Sequence, residues 1–334
     1  FILVSPGDDI CLQESANVHI VTVNWPSYPL WEQIGLPLAL RKIKPDLLHC
    51  TSNTAPVYGN IPLVLTLHDI IFLEKKQGKN QSMYQRLGRF YRRIIVPQIL
   101  TRCKRIITVS HFECNRISHF LHIDRQLLVA VHNGYSQHFI PIRNAQATTA
   151  RYIKKHPYLF FLGNTDPKKN TARVLQAYGI YLKKSRQPLP LLIADLKEEI
   201  IDEYLNRQGL QEIKKMLYHP GYIPNTELPA VYSGASVFIY TSLRESFGIP
   251  ILEAMACGTP VITSTTSAMP EITGPEGILV NPFKPEEIAS ALLHLEENAE
   301  FYQSQTAYGL ERVRRFSWEN TAREILNIYK EILA

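Results

Sequence analysis

The sequence predicts an α/β protein of two domains, each built on a parallel sheet covered by helices. Three observations predict it. Short runs rich in Val, Ile and Leu alternate with longer amphipathic segments along the chain, which is the pattern of β-α units feeding parallel sheets. That alternation breaks across the polar, turn-rich stretch from Pro141 to Pro157, which holds no obvious strand and reads as the linker. The length, 334 residues with 45% hydrophobic composition, suits two domains of ordinary size rather than one.

In the first half the strands are predicted at Phe1 to Val4, His19 to Val23, Leu47 to Cys50, Leu63 to Leu67, Arg105 to Val109 and Leu128 to Val131. After the linker they follow at Tyr158 to Leu162, Leu189 to Ala194, Met216 to Tyr218, Val237 to Tyr240, Val261 to Thr263 and Ile278 to Val280. The last helix, Ser317 to Leu333, opens on Ser317 as N-cap with Asn320 at the third helical position, and its apolar face includes Ile325, Ile328 and Ile332. The chain begins at Phe1 directly in a strand, with no preceding strand and glycine-rich turn. An open α/β domain places such a turn at a central strand, so the expectation is that the first β-α unit of the protein is absent from this chain.

Composition excludes disorder, collagen and a disulfide mini-scaffold. Five cysteines, Cys11, Cys50, Cys103, Cys114 and Cys257, make an odd number with no Cys-x-x-Cys pair, so neither a disulfide framework nor a structural zinc site is written here. A reducing, cytoplasmic compartment fits best. No stretch approaches the roughly 18 uninterrupted apolar residues of a membrane-spanning helix. The longest candidate, Ile61 to Leu67, carries a proline and stops at His68 and Asp69.

Charge is unevenly placed. From Lys75 to Phe112 there is no Asp or Glu, while Lys75, Lys76, Lys79, Arg86, Arg89, Arg92, Arg93, Arg102, Lys104 and Arg105 supply ten of the 36 basic residues. The remainder, 26 basic against 30 acidic, is mildly acidic. One surface is therefore expected to meet something anionic, nucleic acid or an anionic membrane face. Arg86, Arg89 and Arg93 recur at helical spacing with Tyr84, Phe90 and Tyr91 between them, a pattern that suits a membrane surface. An ordinary solvated helix explains it nearly as well, and no nucleic-acid module is present.

The most informative stretch runs from Tyr240 to Ser264 and reads as strand, loop, helix, turn, strand. Pro250 fits the first helical turn, and Gly258 with Pro260 closes the helix, so both ends are defined. The backbone amides of Ser246, Phe247 and Gly248 precede this helix, and a helix N-terminus is a ready anion site. Glu245 in the loop and Glu253 in the helix place two carboxylates beside it. That combination suits a ligand with an anionic group and several hydroxyls, a phosphorylated sugar. For either acid alone, a solvated or helix-dipole role would suffice.

Two further places carry candidate chemistry. Tyr158 to Leu162 is followed by Gly163, Asn164, Thr165, Asp166, Pro167, Lys168, Lys169 and Asn170, then a helix near Thr171. Two lysines at the carboxyl end of a strand can neutralise a diphosphate, each charge-assisted contact being worth about 1.5 to 3 kcal/mol. In the first half, Ile61 to Leu67 ends in His68-Asp69 at the edge where open α/β sheets bind ligands. Ser110-His111-Phe112-Glu113 is explained by a capping box, and Asn133-Gly134 by a turn.

The stretch from Tyr240 to Ser264, with Glu245 and Glu253 separated by seven residues, resembles the donor-site signature of retaining glycosyltransferases of the GT-B fold, in the large GT4-type (group 1) family that includes bacterial mannosyltransferases. The resemblance covers the C-terminal half and, more weakly, the N-terminal half. It implies two Rossmann-like domains whose parallel sheets face a cleft: an acceptor-side domain at 1–145, a nucleotide-sugar donor domain at 146–316, and a C-terminal helix at 317–334 packing back toward the first. By the same resemblance, Lys169 matches the diphosphate-binding lysine and Gly163 the glycine of the preceding turn. Many members carry Arg after that glycine. Here the position is Asn164, and Lys168 is expected to supply the second charge. His68 matches the histidine that contacts the transferred sugar. Tyr222 and Ile223, in the turn after the strand ending at Tyr218, match the region that seats the nucleotide base through backbone groups, although Ala194-Asp195 replaces a glycine usual nearby.

What the resemblance implies is a metal-independent, retaining transfer of a hexose, mannose preferred, from a GDP- or UDP-linked donor to a glycan or lipid-linked acceptor in cell-surface polysaccharide synthesis. No other cofactor is implied. The catalytic candidates are His68, Lys169 and Glu245; Glu253, Lys168 and the amides of 246–248 bind donor. No Asp-x-Asp triplet occurs, so a metal-bridged nucleotide site is not predicted. Peripheral contact with an anionic membrane is expected through the segment 75–105. A nucleotide-sugar epimerase or phosphorylase of the same fold, and a non-catalytic nucleotide-sugar-binding protein, are the competing readings.

Overall fold

The computed structural model describes residues 1–5, 13–74 and 83–334, with the side chains of 84 and 85 left out. Cys11, Lys75, Lys76, Lys79 and the Tyr84 side chain therefore lie outside the described residues. The chain forms two compact units, Phe1–Val131 with Glu324–Ala334, and His132–Arg323.

In the first unit β1 (Ile2–Val4) pairs in parallel with β2 (Ile20–Thr22). A separate 4-stranded sheet holds β3 (Leu48–Cys50), β4 (Leu63–Thr66), β5 (Cys103–Thr108) and β6 (Leu128–Ala130), parallel and in chain order. Leu63, Val64 and Leu65 are wholly buried, as a strand covered on both faces requires. On one face Leu63 and Leu65 meet Ile95, Val96, Ile99 and Leu100 of the helix Met83–Leu100. On the other, Val64 and Ile107 meet Ile328, with Ile325 and Ile332 beside it. Those three isoleucines belong to the helix Trp318–Leu333, whose N-terminus is capped by the Ser317 hydroxyl accepting from the Asn320 amide at 3.1 Å.

The second unit is built on a 6-stranded sheet of β7 (Tyr158–Leu162), β8 (Leu191–Ala194), β9 (Leu217–Gly221), β10 (Ala235–Tyr240), β11 (Val261–Ser264) and β12 (Ile278–Val280). The order is β12-β11-β10-β7-β8-β9, with every pair parallel. From β7 the chain steps outward to β9, then returns to lay β10 against the other side of β7 and continues to β12. The loops leaving β7 and β10 therefore diverge. That reversal of strand order leaves a crevice at the carboxyl ends, the place where open α/β sheets bind ligands. The central strand Tyr-Leu-Phe-Phe-Leu is apolar throughout because neighbouring strands and covering helices leave Tyr158, Leu159, Phe160 and Phe161 almost no contact with water.

One boundary differs from the sequence reading. The division falls at Val131/His132, ahead of the stretch 141–157 expected as linker and of the expected 145/146 border. That stretch is docked on the second unit. It contains the short helix Ala145–Thr149, Ala145, Thr149 and Ile153 are buried, and the Ile142 amide donates to Ser233 Oγ at 3.0 Å. Its polar composition hid three inward-facing side chains.

Ile328 is the buried point of the C-terminal helix on the first sheet. Ile328→Ala is expected to lower unfolding stability by about 2 to 5 kcal/mol, the cost of lost burial plus a cavity. Urea unfolding of the two proteins checks it.

Candidate functional site

The two strand-end loops of the second unit's crevice are tied together by backbone and amide contacts. After β7, Asp166 caps a 3-10 turn, Pro167–Lys169, its Oδ1 accepting from the Lys168 amide at 3.0 Å. The Lys168 carbonyl then accepts from the Leu243 amide at 2.7 Å, pinning this turn to the loop that follows β10. Asn170, buried and at φ +65°, donates its side-chain amide to the Thr241 and Pro282 carbonyls at 3.0 and 2.7 Å. A left-handed backbone and a short amide side chain are what asparagine tolerates best among non-glycine residues. Loops after β7, β10 and β12 are held in one cluster by this single side chain.

That cluster places Lys169 against Glu245. The ammonium donates to Glu245 Oε1 at 2.6 Å and to the Tyr240 hydroxyl at 3.3 Å, and it lies 5.3 Å from the centre of the Tyr240 ring. Glu245 is only 14% exposed, so the pair is well shielded from screening. A lysine ammonium has three N–H donors, and these two contacts leave a third direction for a ligand. Glu245 is itself fixed through its amide, which donates to Ser267 Oγ at 2.9 Å. Lys168 has its own carboxylate neighbour, Asp166, at 3.7 Å, so part of the positive charge expected of it is already offset.

Glu253 sits in the helix Ile249–Ala256. Its Oε2 accepts from the Tyr232 hydroxyl at 3.1 Å, and Tyr232 is fully buried. Burial pushes the Glu253 carboxyl up from 4.5 to about 7, partly offset by the hydrogen bond from Tyr232. The helix begins at Gly248 with φ +110°, a conformation glycine adopts without strain. Phe247 is buried against His132 and Phe316, with ring centroids at 5.8 and 6.0 Å, so only its backbone can serve a ligand. His132 is held in turn by Glu271, Nε2 to Oε1 at 2.6 Å.

Gly163 closes β7, where its amide donates to the Ala194 carbonyl at 2.9 Å. An added Cβ there would lie 2.5 Å from Leu196 Cδ1, so the turn requires glycine. Tyr222 and Ile223 follow β9, two strands from β7, roughly 10 Å away at the usual strand spacing. Tyr222 is 75% exposed and Ile223 is buried, so the tyrosine ring and the turn's backbone are the parts open to a ligand. Asp195, at φ +63°, donates its amide to the Gly221 carbonyl at 2.8 Å and closes the gap between β8 and β9.

In the first unit, His68 follows β4. Its amide donates to Asn53 Oδ1 at 2.7 Å, and its ring Nε2 donates to the Thr51 carbonyl at 2.8 Å. In the neutral ring that bond leaves Nδ1 as the acceptor. Asp69 Oδ1 accepts from the Ile71 amide at 2.9 Å and serves the local turn. Ser110 caps the helix His111–Leu121, accepting from the Glu113 amide at 3.2 Å.

The structure thus brings Lys169, Glu245, Lys168, Gly163, Glu253 and the 246–248 backbone to the carboxyl edge of one sheet, and it places His68 at the corresponding edge of the other unit's sheet. Tyr232, Tyr240, Asn170 and Ser267 were not singled out in the sequence. Only Asn170 left a trace there, as the residue closing the Lys-Lys-Asn run before a helix.

Comparison with known proteins identifies the family. Residues 146–312 match the glycosyl transferases group 1 family, and residues 1–138 match glycosyltransferase family 4. The chain belongs to the group 1 glycosyl transferases. Among its relatives, the O-antigen chain mannosyltransferase B of Escherichia coli is 31% identical over 238 residues, 69% of this chain and 61% of that protein. The serotype-specific mannosyltransferase WbdA of the same species is 24% identical over 321 residues, 90% of this chain but 38% of its own length. The chain therefore spans less than two thirds of these two relatives. Among solved structures, sucrose-phosphate synthase from Thermosynechococcus elongatus superposes with a TM-score of 0.74 at 19% identity, covering 99% of this chain and 87% of that one. HepE of Anabaena, solved with UDP, gives 0.71 at 16%, covering 93% and 86%. At these identities the structural matches establish the fold, two Rossmann-like α/β domains, as the sequence reading had it.

A carboxyl whose folded pKa lies above its unfolded value stabilises the fold most at low pH, and that contribution is lost as pH rises from 4.5 through about 7. Glu253→Gln removes the titration. The melting temperature of the variant relative to wild type should climb across that window and level off above it, as followed by scanning calorimetry; parallel curves would place Glu253 in ordinary solvent.

Proposed function

We propose that this chain carries out retaining hexosyl transfer, moving mannose from a nucleotide-diphosphate sugar to a glycan or lipid-linked acceptor in cell-surface polysaccharide synthesis. The observation that carries the reading is the Lys169–Glu245 pair beside Glu253 at the crevice of a doubly wound sheet. The O-antigen mannosyltransferases among its relatives support the sugar. The HepE structures with UDP and UDP-glucose support a nucleoside diphosphate as the donor's leaving half.

In this proposal the donor diphosphate takes the free direction of the Lys169 ammonium, with Lys168 and the amides of 246–248 spreading the remaining charge. Drawing Lys169 toward phosphate loosens its hold on Glu245, whose carboxylate then accepts from sugar hydroxyls. One residue pair so couples diphosphate binding to sugar orientation. Glu253 accepts from the ribose, and His68 contacts the transferred sugar. The acceptor hydroxyl approaches on the face the diphosphate leaves; the C1–O bond to phosphate breaks, the new C1–O bond forms, and the acceptor proton passes to the departing phosphate oxygen. Stabilising charge on the leaving diphosphate is the largest contribution asked of the protein. The proposal uses no metal. It places the reaction at the inner face of the cell membrane, with segment 75–105 in peripheral contact.

Lys169→Ala is expected to lower turnover of GDP-mannose or its UDP counterpart by about a hundredfold or more, comparable to losing one oxyanion donor. Steady-state transfer assays, with thermal unfolding to establish that the variant is folded, check it. Turnover within about threefold of wild type would remove Lys169 from the mechanism. Consumption of donor with no acceptor present would favour an epimerase instead.

A further inference from the structure

The backbone of residues 245–248 is supported by the loop and short helix that follow β11. Ser267 Oγ accepts from the Glu245 amide at 2.9 Å, and the Ala268 amide donates to the Glu245 carbonyl at 3.4 Å. Met269 Sδ stands 3.7 Å from where a Cβ on Gly248 would lie, so these two residues are neighbours. The helix Met269–Thr273 then carries Glu271, whose side chain is largely buried and whose Oε1 accepts from His132 Nε2 at 2.6 Å. Residues 267–271 thus meet the loop at Glu245, at Gly248 and, through His132, at Phe247.

His132 is the residue that reaches Phe247. Its imidazole lies 5.8 Å from the Phe247 ring and 5.4 Å from the Phe316 ring, and the two phenyl rings meet edge to face at 6.0 Å, so the three rings close a triangle. Phe247 and Phe316 are both buried. Each of the other two corners is anchored from outside. The His132 carbonyl accepts from the buried Thr321 hydroxyl at 2.6 Å. The Arg312 guanidinium lies 5.1 Å from the centre of the Phe316 ring and donates to the Ile272 and Glu271 carbonyls at 2.9 and 2.5 Å. A carboxylate oxygen accepts, so Nε2 carries the hydrogen of the bond to Glu271 and the imidazole is held in one orientation.

Packing alone does not call for this arrangement. A leucine or phenylalanine at position 132 would fill the triangle with no polar atom to partner, and a histidine–carboxylate pair adds little net stability. What the pair supplies is direction. That matters because Phe247 lies between the residues whose amides, together with its own, receive the donor diphosphate in the function proposed above. Misplacing a stabilising group by about 1 Å lowers turnover on the order of a hundredfold. We propose that His132 and Glu271 are positioning residues for the transfer: the Glu271 carboxylate orients the His132 ring, the ring fixes Phe247, and Phe247 holds the 246–248 amides against the diphosphate. The inference rests on that function and assigns a part in it to two residues outside the donor signature.

The test is steady-state transfer from GDP-mannose or its UDP counterpart by the full chain, beside hydrogen–deuterium exchange of the peptide that spans 246–248. Glu271→Ala and His132→Phe should each lower kcat by about tenfold or more and leave the donor KM within about threefold of wild type, because the amides act most on charge that develops as the diphosphate departs. Exchange at 246–248 should be at least about tenfold faster in both. Glu271→Gln keeps an acceptor oxygen for His132 and should restore kcat and exchange to within about threefold of wild type. The double variant should be no worse than either single one, since both act through the same ring. Wild-type kcat or wild-type exchange in Glu271→Ala and His132→Phe would overturn the proposal. So would a Glu271→Gln variant as impaired as Glu271→Ala, or a fall in kcat that only follows the folded fraction seen in thermal unfolding. Should Glu271→Ala not fold, His132→Phe against Glu271→Gln gives the same contrast. Exchange needs no sugar donor, which separates the two readings: faster exchange in the variants of a chain that transfers no sugar overturns only the function proposed above, and transfer by wild type with both variants unchanged overturns only the positioning role.

Discussion

A lysine ammonium 2.6 Å from a largely buried carboxylate is the interaction on which the site of the second unit depends. Such a pair repays its desolvation only when its geometry is fixed and its other hydrogen-bonding positions are occupied. Here the fixing is done by backbone groups together with the short side chains of Asn170 and Ser267. The Lys168 carbonyl takes the Leu243 amide, Asn170 holds the Thr241 and Pro282 carbonyls, and Ser267 holds the Glu245 amide. Each of these contacts joins a loop after one strand to a loop after another. The pair is possible because the sheet reverses its strand order between β7 and β10, so both loops open at the same edge.

The same reversal explains how the site's parts divide the work. Lys168 and Lys169 come from the end of the central strand, Glu245 and the 246–248 amides from its neighbour, and Tyr222 from the edge strand two places away. A diphosphate beside the centre and a nucleoside extended toward β9 match this spacing. Glu253 stands apart electrostatically. Its burial beside Tyr232 holds it near the protonation midpoint at neutral pH, whereas Glu245 has a cation in contact. Two carboxylates in one site therefore offer a ligand different partners, one pushed by burial toward its protonated form and one paired with a cation.

The strands were legible in the sequence because parallel strands covered on both faces must be apolar at nearly every position. Tyr158 to Leu162 was read at its observed bounds, and β4 and β10 within a residue or two. The loop lysines stood out in the sequence because two cations at the end of a strand suit a diphosphate, and the two glutamates through the family resemblance that their seven-residue separation carries. Tyr232 did not, since its bond to Glu253 joins residues 21 apart in sequence and nothing near Tyr232 marks it. The compact units divide at Val131/His132 rather than at 145/146 because Ala145, Thr149 and Ile153 bury themselves within a segment whose average composition is polar. In the basic segment, sequence showed the arginines but not which apolar residues face outward, because Leu87 and Ile94 at helical spacing look like core until the other face is seen to be full.

If Lys169 receives a nucleotide diphosphate at the crevice of the second unit, a crystal structure of the chain with bound GDP or UDP will show a phosphate oxygen within about 3 Å of Lys169 Nζ, with the nucleoside running toward Tyr222. A diphosphate bound elsewhere, with the Lys169–Glu245 contact intact and solvent in the crevice, would contradict it.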